Sequence, residues 1–228
     1  MSGFYKVSEW IMRFSVVNVL WILFNIPFVF LVINMVMTDK IADFIVLLGL
    51  ALVLAPFLFF PGTAALFASC RDWILDKERK SLVRAFWGHY LENYKQSFIG
   101  GIFLTALWAI WLVDMYFFYD INLFTTLLFV VMGGLLFVFN INFFSVVVHY
   151  NVGFKQILTN TLLISVGSPV LFFVVLISSA FIFYANLYAP VFLMLFFTGT
   201  LYAFINFSAF YRVYLRLTER YEASKNQE

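Results

Sequence analysis

Only a few side chains of this sequence could carry out chemistry inside a long apolar segment. Asp114 is the one acid in such a segment, and an ionisable group in hydrocarbon is a candidate functional residue. It follows Phe98 by sixteen residues, about 24 Å along a helix. This depth favours an acid near the outer membrane interface over one that lines a cavity or an ion pathway.

Four asparagines lie deeper in apolar segments and complete, with Asp114, a candidate buried polar site: Asn25, Asn140, Asn142 and Asn206. An amide in lipid needs a partner, and a hydrogen bond between helices contributes about 0.6 to 2 kcal/mol. The asparagines could join helices structurally, or they could line a polar cavity together with helix breaks at Pro27 and Pro169. The structural interpretation is favoured.

The other reactive residues form no catalytic, cofactor or metal signature. A single cysteine, Cys70, excludes an intrachain disulfide, and the two histidines, His89 and His149, sit at the edges of apolar segments. The sequence contains no zinc motif, Walker loop, nucleophile elbow or dinucleotide fingerprint. We therefore expect no cofactor and no enzymatic activity. The net charge of +2 does not suggest a nucleic-acid partner.

The composition predicts an integral membrane protein. Of 228 residues, 64% are hydrophobic, 22% are aromatic and 11% are charged, with a mean hydropathy of +0.97. A soluble chain of this size cannot bury so much apolar surface, so lipid must cover most of it. We predict an all-α polytopic bundle forming a single transmembrane domain over residues 1–228, with six spans over residues 16–37, 44–69, 98–119, 123–148, 157–184 and 191–211.

Prolines and small residues predict the internal details of these spans. Pro27, Pro56, the sequence from Pro61 to Leu66, and residues 165–169 should kink or break their helices, because proline removes a backbone hydrogen bond. Ala64 and Ala68, and the stripe of Gly101, Thr105 and Ala109, are typical of close helix contacts.

Amphipathic segments flank the first and third spans. Residues 4–14 predict a short interfacial helix, and no cleavage site follows it, so we expect the segment to be retained. Residues 71–97 form the long polar connection, and its second half is amphipathic, with one apolar arc of Val83, Phe86, Trp87, Tyr90, Leu91 and Tyr94. This connection either anchors the third span or docks a partner, with candidate docking residues Arg79, Lys80, Arg84, Trp87 and Lys95.

The basic residues predict the orientation in the membrane. Thirteen of the fourteen Lys and Arg fall in the amino terminus, the second and fourth connections and the tail, and Lys40 alone falls on the other side. Basic residues accumulate on the cytoplasmic side of a membrane protein. Both termini and residues 71–97 are therefore predicted to be cytoplasmic.

A short internal similarity suggests a repeat. The segment from His89 to Gln96 matches the segment from His149 to Gln156 at four positions, 60 residues apart. Asn142-Phe143 and Asn206-Phe207 follow at a spacing of 64. The hypothesis is that the second and third helical hairpins repeat one unit. The alternative is chance, because aromatic residues and lysine are common at any cytoplasmic interface.

Several of these segments together resemble the YesL-like family, small bacterial membrane proteins with a domain of unknown function, DUF624. The segments are Asn18 to Pro27, Pro61 to Leu66, Phe86 to Gln96, Phe154 to Leu162, and Leu201 to Asn206 followed by Arg212. The chain departs from the family pattern after the fourth span, where His149-Tyr150-Asn151 stands in place of an acid. The resemblance implies an association with carbohydrate uptake beside binding-protein-dependent sugar transporters, and it assigns no catalytic or ligand residue.

We therefore expect a multi-pass protein of the bacterial inner membrane that serves as an accessory or interaction component linked to carbohydrate transport. Its expected partners are the lipid bilayer and subunits of a sugar transporter, and self-association is left open. The alternative is a small secondary transporter or channel with a polar site between broken helices.

Overall fold

The computed structural model describes residues 3–77, 81–118, 122–188 and 190–225, and within these ranges the chain is helical, without a strand. The elements are α1 (Gly3–Phe24), α2 (Ile26–Met37), α3 (Ile41–Leu54), α4 (Phe59–Ile74), α5 (Leu82–Phe118), α6 (Leu123–His149), α7 (Phe154–Gly167), α8 (Pro169–Tyr188) and α9 (Val191–Lys225).

Five helices are long and apolar enough to cross a membrane: α5, α6, α8, α9 and, from Phe4 to Phe24, α1. A sixth candidate is the broken pair of α3 and α4, whose axes bend by 55°. The described part of the chain is thus all-helical, with five to six candidate spans. The count of six spans and the orientation stay predictions.

Three helix breaks lie at predicted places, but the predicted break over Pro61 to Leu66 is wrong, because α4 continues through these residues. Asn25 separates α1 from α2, two residues before Pro27. Residues 55–58 separate α3 from α4 around Pro56, whereas Pro61 is accommodated in the first turn of α4, where a backbone N–H has no acceptor in its own helix. Ser168 separates α7 from α8, so the predicted fifth span over residues 157–184 is two helices.

The two predicted amphipathic segments have different boundaries in the structure. No separate interfacial helix over residues 4–14 exists, because α1 continues without interruption from Gly3 to Phe24. The second half of the connection over residues 71–97 is helical as predicted, but its boundaries differ, since α4 extends to Ile74 and α5 begins at Leu82. No proline interrupts residues 82–118, so the amphipathic segment and the third span form one helix of 37 residues.

The two segments of the predicted repeat have different secondary structures. His89 to Gln96 lies inside α5, whereas His149 ends α6 and residues 150–153 are not helical. Lys155 begins the next helix, while Lys95 lies in the middle of one. The similarity in sequence therefore does not extend to a repeat in local structure.

The centre of the bundle is α4. It packs against α1, α5, α6 and α9, and every residue from Phe60 to Cys70 is buried. Ala64 and Ala68 are completely buried, so the predicted small-residue contact is confirmed. Small side chains let helix backbones approach closely, which is the main source of packing energy between helices in lipid.

Two adjacent glycines of α5 allow it to pack closely against its neighbours. A Cβ atom at Gly100 would lie 2.1 Å from the Phe143 ring of α6, and one at Gly101 would lie 2.8 Å from the Cα atom of Pro56. These distances are too short for a side chain. The glycines of α5 thus let it pack closely against both α6 and the break before α4.

We predict that Gly101→Ala destabilises the protein by about 1–3 kcal/mol, because the new methyl group meets the backbone of Pro56, which cannot rotate away. Thermal unfolding in mild detergent measures the effect. The matched control is Gly134→Ala in α6, where nothing lies within 4 Å of an added Cβ. Equal melting temperatures for the two variants would contradict the packing described for Gly101.

Candidate functional site

The most strongly buried charges of the described chain meet where α4, α5 and α6 converge. Asp72 lies in the last turn of α4 and His89 in α5, and each is only 1% exposed. Asp72 Oδ2 lies 3.0 Å from His89 Nε2, and Asp72 Oδ1 lies 3.0 Å from Arg71 Nη2. We call Arg71, Asp72 and His89 the ionic cluster.

The ionic cluster links three helices. The Arg71 guanidinium donates a hydrogen bond to the Val148 carbonyl oxygen in the last turn of α6. A carbonyl in the last turn of a helix receives no hydrogen bond from within that helix, and it carries partial negative charge. The guanidinium therefore satisfies the end of α6 and the Asp72 carboxylate at once. Gln96 Nε2 adds a second link, donating to the Val152 carbonyl oxygen at 3.2 Å.

The geometry of the cluster suits a structural role. His89 Nδ1 also lies 3.7 Å from the exposed carboxylate of Glu92, so the imidazole stands between two acids. The cavity beside Asp72 and His89 measures only about 10 Å³. This volume holds at most one water molecule. The contacts of the cluster hold α4 against α5 and α6.

His149 lies beside this cluster, at the end of α6, in an aromatic environment. Its ring centroid is 4.4 Å from that of Tyr214 and 4.9 Å from that of Tyr150. Phe207, Phe210 and Tyr211 also lie within 6.2 Å, so the imidazole packs the end of α6 against α9.

Two of the predicted asparagines form hydrogen bonds between helices. Asn142 Nδ2 donates to Ser165 Oγ at 3.0 Å, joining α6 to α7. Asn206 Nδ2 donates to Ser178 Oγ at 3.2 Å, joining α9 to α8. Both match the structural interpretation of the sequence, since a buried amide in lipid contributes most when it pairs across a helix interface.

The other two asparagines have buried carbonyl oxygens without a hydrogen-bond partner in the described structure. Asn25 Nδ2 donates to the Trp21 carbonyl oxygen at 2.8 Å, at the break between α1 and α2. Asn140 lies in α6 and is 9% exposed. Asp114 is half-buried and lies four residues before the end of α5 at Phe118, and its place at the outer interface stays a prediction. None of these five residues lines any of the five clefts described for the chain.

The structure adds Asn18, which the sequence analysis did not single out. Its amide Nδ2 donates to the Leu195 carbonyl oxygen at 2.6 Å, and its Oδ1 accepts from the Thr200 N–H at 2.9 Å. Asn18 is fully buried, so one side chain of α1 satisfies backbone groups on both sides of Gly199 in α9. The signal in the sequence was the position of Asn18, seven residues before Asn25 and therefore on the same face of a helix.

Asp72 was also missed, because the sequence analysis assigned it to a solvated connection. The detectable signal was the pair Arg71-Asp72 directly after ten apolar or small residues, which indicates a neutralised pair at a helix end.

The predicted docking residues fall into two groups. Arg84, Trp87 and Lys95 lie on one exposed face of α5, together with Leu91, and Arg79 and Lys80 lie outside the described residues. The opposite face carries Phe86, His89 and Asn93, all buried. The predicted apolar arc is therefore wrong for Phe86, which turns inward, whereas Trp87 and Leu91 are 50% and 56% exposed.

Comparisons with known proteins point to one family. The family described as "Protein of unknown function, DUF624" matches residues 14–115. The chain is also similar to the "Uncharacterized protein YteU" of Bacillus subtilis (strain 168), with 27% identity over 217 residues that cover 94% of this chain and 86% of that protein. No solved structure matches significantly. The resemblance to the YesL-like, DUF624 family predicted from the sequence is confirmed.

We predict that Asp72→Ala destabilises the protein by about 3–5 kcal/mol, since it leaves the buried Arg71 guanidinium without its carboxylate. Unfolding in mild detergent, followed by tryptophan fluorescence, measures the loss. The control is Glu9→Ala, which removes the partly exposed pair with Arg13 and should cost at most about 1 kcal/mol. Similar losses for both variants would show that the ionic cluster does not stabilise the fold.

Asn18→Ala should cost about 1–3 kcal/mol, because α1 loses its buried hydrogen bonds to the backbone of α9. The control is Asn34→Ala, whose amide donates only to the Phe30 carbonyl oxygen of its own helix. Thermal unfolding of both variants in the same detergent compares them. A change for Asn18→Ala no larger than for Asn34→Ala would refute the bridging role.

Proposed function

We propose that this YesL-like protein is a multi-pass component of the bacterial inner membrane that binds a partner protein, rather than a catalyst. In this proposal six spans cross the membrane, both termini and the connection between α4 and α5 face the cytoplasm, and the partner is a subunit of a carbohydrate transporter. The distribution of basic residues supports the orientation. The link to carbohydrate transport rests on the family resemblance alone.

The observation that carries the proposal is the exposed face of α5 that we call the docking face, formed by Arg84, Trp87, Leu91 and Lys95. These residues recur every three or four positions, so they share one side of the helix. Tryptophan and arginine are the residues that most often dominate the binding energy of protein interfaces. The docking face thus combines an aromatic anchor with two cations.

The docking face is held rigidly from behind. His89 and Asn93 on the opposite side of α5 are buried, and His89 contacts Asp72 of α4. A helix fixed in this way loses little conformational entropy when a partner binds, which favours affinity. The ionic cluster and the docking face therefore serve one purpose in this proposal, namely to present α5 in a defined orientation.

The alternative, a small transporter or channel, has weaker support. It requires a continuous polar cavity between Asn25, Asn140 and Asn206. Asn206 instead pairs with Ser178, and none of the three lines the clefts found in the described structure. The largest of these clefts, about 500 Å³ between α5, α6 and α7, is lined almost entirely by apolar side chains.

The test is co-purification in mild detergent of the wild-type protein and of the double variant Arg84→Glu, Lys95→Glu. We expect transporter membrane subunits to be enriched with the wild-type protein, and the enrichment to fall about tenfold in the variant, equivalent to about 1.4 kcal/mol. The control variant is Lys6→Glu, Lys155→Glu, which makes the same charge change at exposed cytoplasmic-side positions away from the docking face.

Protease accessibility of the termini in membrane vesicles separates the two interpretations of the polar connection. Normal topology with lost partner enrichment supports docking. Altered topology or reduced insertion in the Arg84→Glu, Lys95→Glu variant supports a membrane anchor instead. Recovery of the wild-type protein without any transporter subunit would contradict the proposed partner.

A further inference from the structure

A cleft lies between α7, the beginning of α8 and the cytoplasmic half of α9. It consists of two adjoining cavities of about 280 and 330 Å³, which share Leu163, Ile164 and Leu217. Val170 and Val213 extend the apolar wall of the first cavity. The shape is therefore an elongated groove whose interior suits a hydrocarbon chain.

The polar groups of this cleft favour an anion. Arg216 lines the first cavity beside Ser168 and Pro169, where α8 begins. The N–H groups in the first turn of a helix lack acceptors within that helix and carry partial positive charge. In α8, however, Ser168 accepts hydrogen bonds from the Leu171 and Phe172 N–H groups, and Pro169 has no N–H. The Arg216 guanidinium is therefore the group of this cavity that favours an anion, and no acid lines the cavity among the described residues.

Arg216 is available to a ligand. It is exposed, and within the described part of the chain it makes no ion pair or hydrogen bond. The second cavity adds neutral donors from the side chains of Tyr150, Asn160 and Tyr214, whereas the Thr218 hydroxyl already donates to the Tyr214 carbonyl oxygen. These groups could bind the oxygen atoms of a headgroup without repelling its charge.

We propose that this cleft binds an anionic phospholipid. Its phosphate lies against Arg216, its remaining headgroup faces the hydroxyl and amide groups of the second cavity, and one acyl chain follows the wall of Leu163, Ile164 and Leu217. A lipid is favoured over a soluble phosphate because the rim of the cleft is itself apolar. Leu163, Val170 and Leu217 are 64%, 53% and 52% exposed, so hydrocarbon covers them.

Charge complementarity supplies the selectivity. A basic residue near a membrane surface contributes about 1 kcal/mol toward an anionic lipid, which corresponds to a factor of about five in affinity. The anionic lipid therefore binds through Arg216, whereas a zwitterionic lipid of the same chain length gains less. The cleft involves a different surface from the docking face, so the two proposals stand independently.

The experiment titrates fluorescently labelled phosphatidylglycerol, and then labelled phosphatidylcholine, into the purified full-length protein in mild nonionic detergent. We expect phosphatidylglycerol to bind about fivefold more tightly. Arg216→Gln should remove this preference, whereas the control Arg212→Gln, an exposed arginine of the same helix that lines neither cavity, should retain it. Both arginines are exposed, so both variants should fold, and their melting temperatures verify this.

A second variant tests the apolar part of the cleft. Ile164→Trp fills the space shared by the two cavities and should weaken phosphatidylglycerol binding while Arg216 is intact. Equal affinity for the two lipids, or an unchanged preference in Arg216→Gln, would overturn the proposal. Competition by millimolar inorganic phosphate would identify a soluble anion as the ligand and would also overturn it. So would a change in oligomeric state in Ile164→Trp, which would indicate a second copy of the chain in the cleft.

Discussion

The complete burial of α4 is the constraint on which the rest of the structure depends. Four helices surround it, and the residues from Phe60 to Cys70 have no access to lipid or water. A helix so enclosed must be thin, and the small residues Gly62, Ala64, Ala65, Ala68 and Ser69 meet this requirement. The glycines of α5 and the break before α4 then follow, because close approach of α5 leaves no space for side chains at Gly100 and Gly101.

Burial of α4 also explains the ionic cluster. The last turn of α4 carries Asp72 into the interior, where an unpaired carboxylate would be costly. Arg71 neutralises it, His89 Nε2 lies 3.0 Å from its second oxygen, and Arg71 simultaneously satisfies the end of α6 through Val148. The same contacts determine which side of α5 faces outward. A packing requirement at the centre of the bundle thereby orients the surface that we propose as the docking face.

Polar groups elsewhere in the bundle follow the same physical rule. Asn18, Asn142 and Asn206 each reach a partner on another helix, since hydrocarbon offers none. Their hydrogen bonds join α1 to α9, α6 to α7 and α9 to α8. These residues stabilise contacts where apolar packing alone would not distinguish one helix arrangement from another. Arg216 differs from these asparagines. It lies at a cleft, and its guanidinium has no hydrogen-bond partner within the described part of the chain, so it is available to a lipid headgroup.

The sequence by itself determined the helical membrane class, the positions of the breaks at Asn25, Pro56 and Ser168, and the family resemblance. These properties depend on composition and on residues close together in the chain, such as a proline and the carbonyl four residues before it. Only the tertiary structure decided that α4 is central, that Asp72 is buried and that Asn18 spans a turn of α9. Those facts depend on which helices are neighbours. Lipid and protein both bury apolar side chains, so an apolar helix of a membrane protein does not reveal from its own sequence which of the two covers each face.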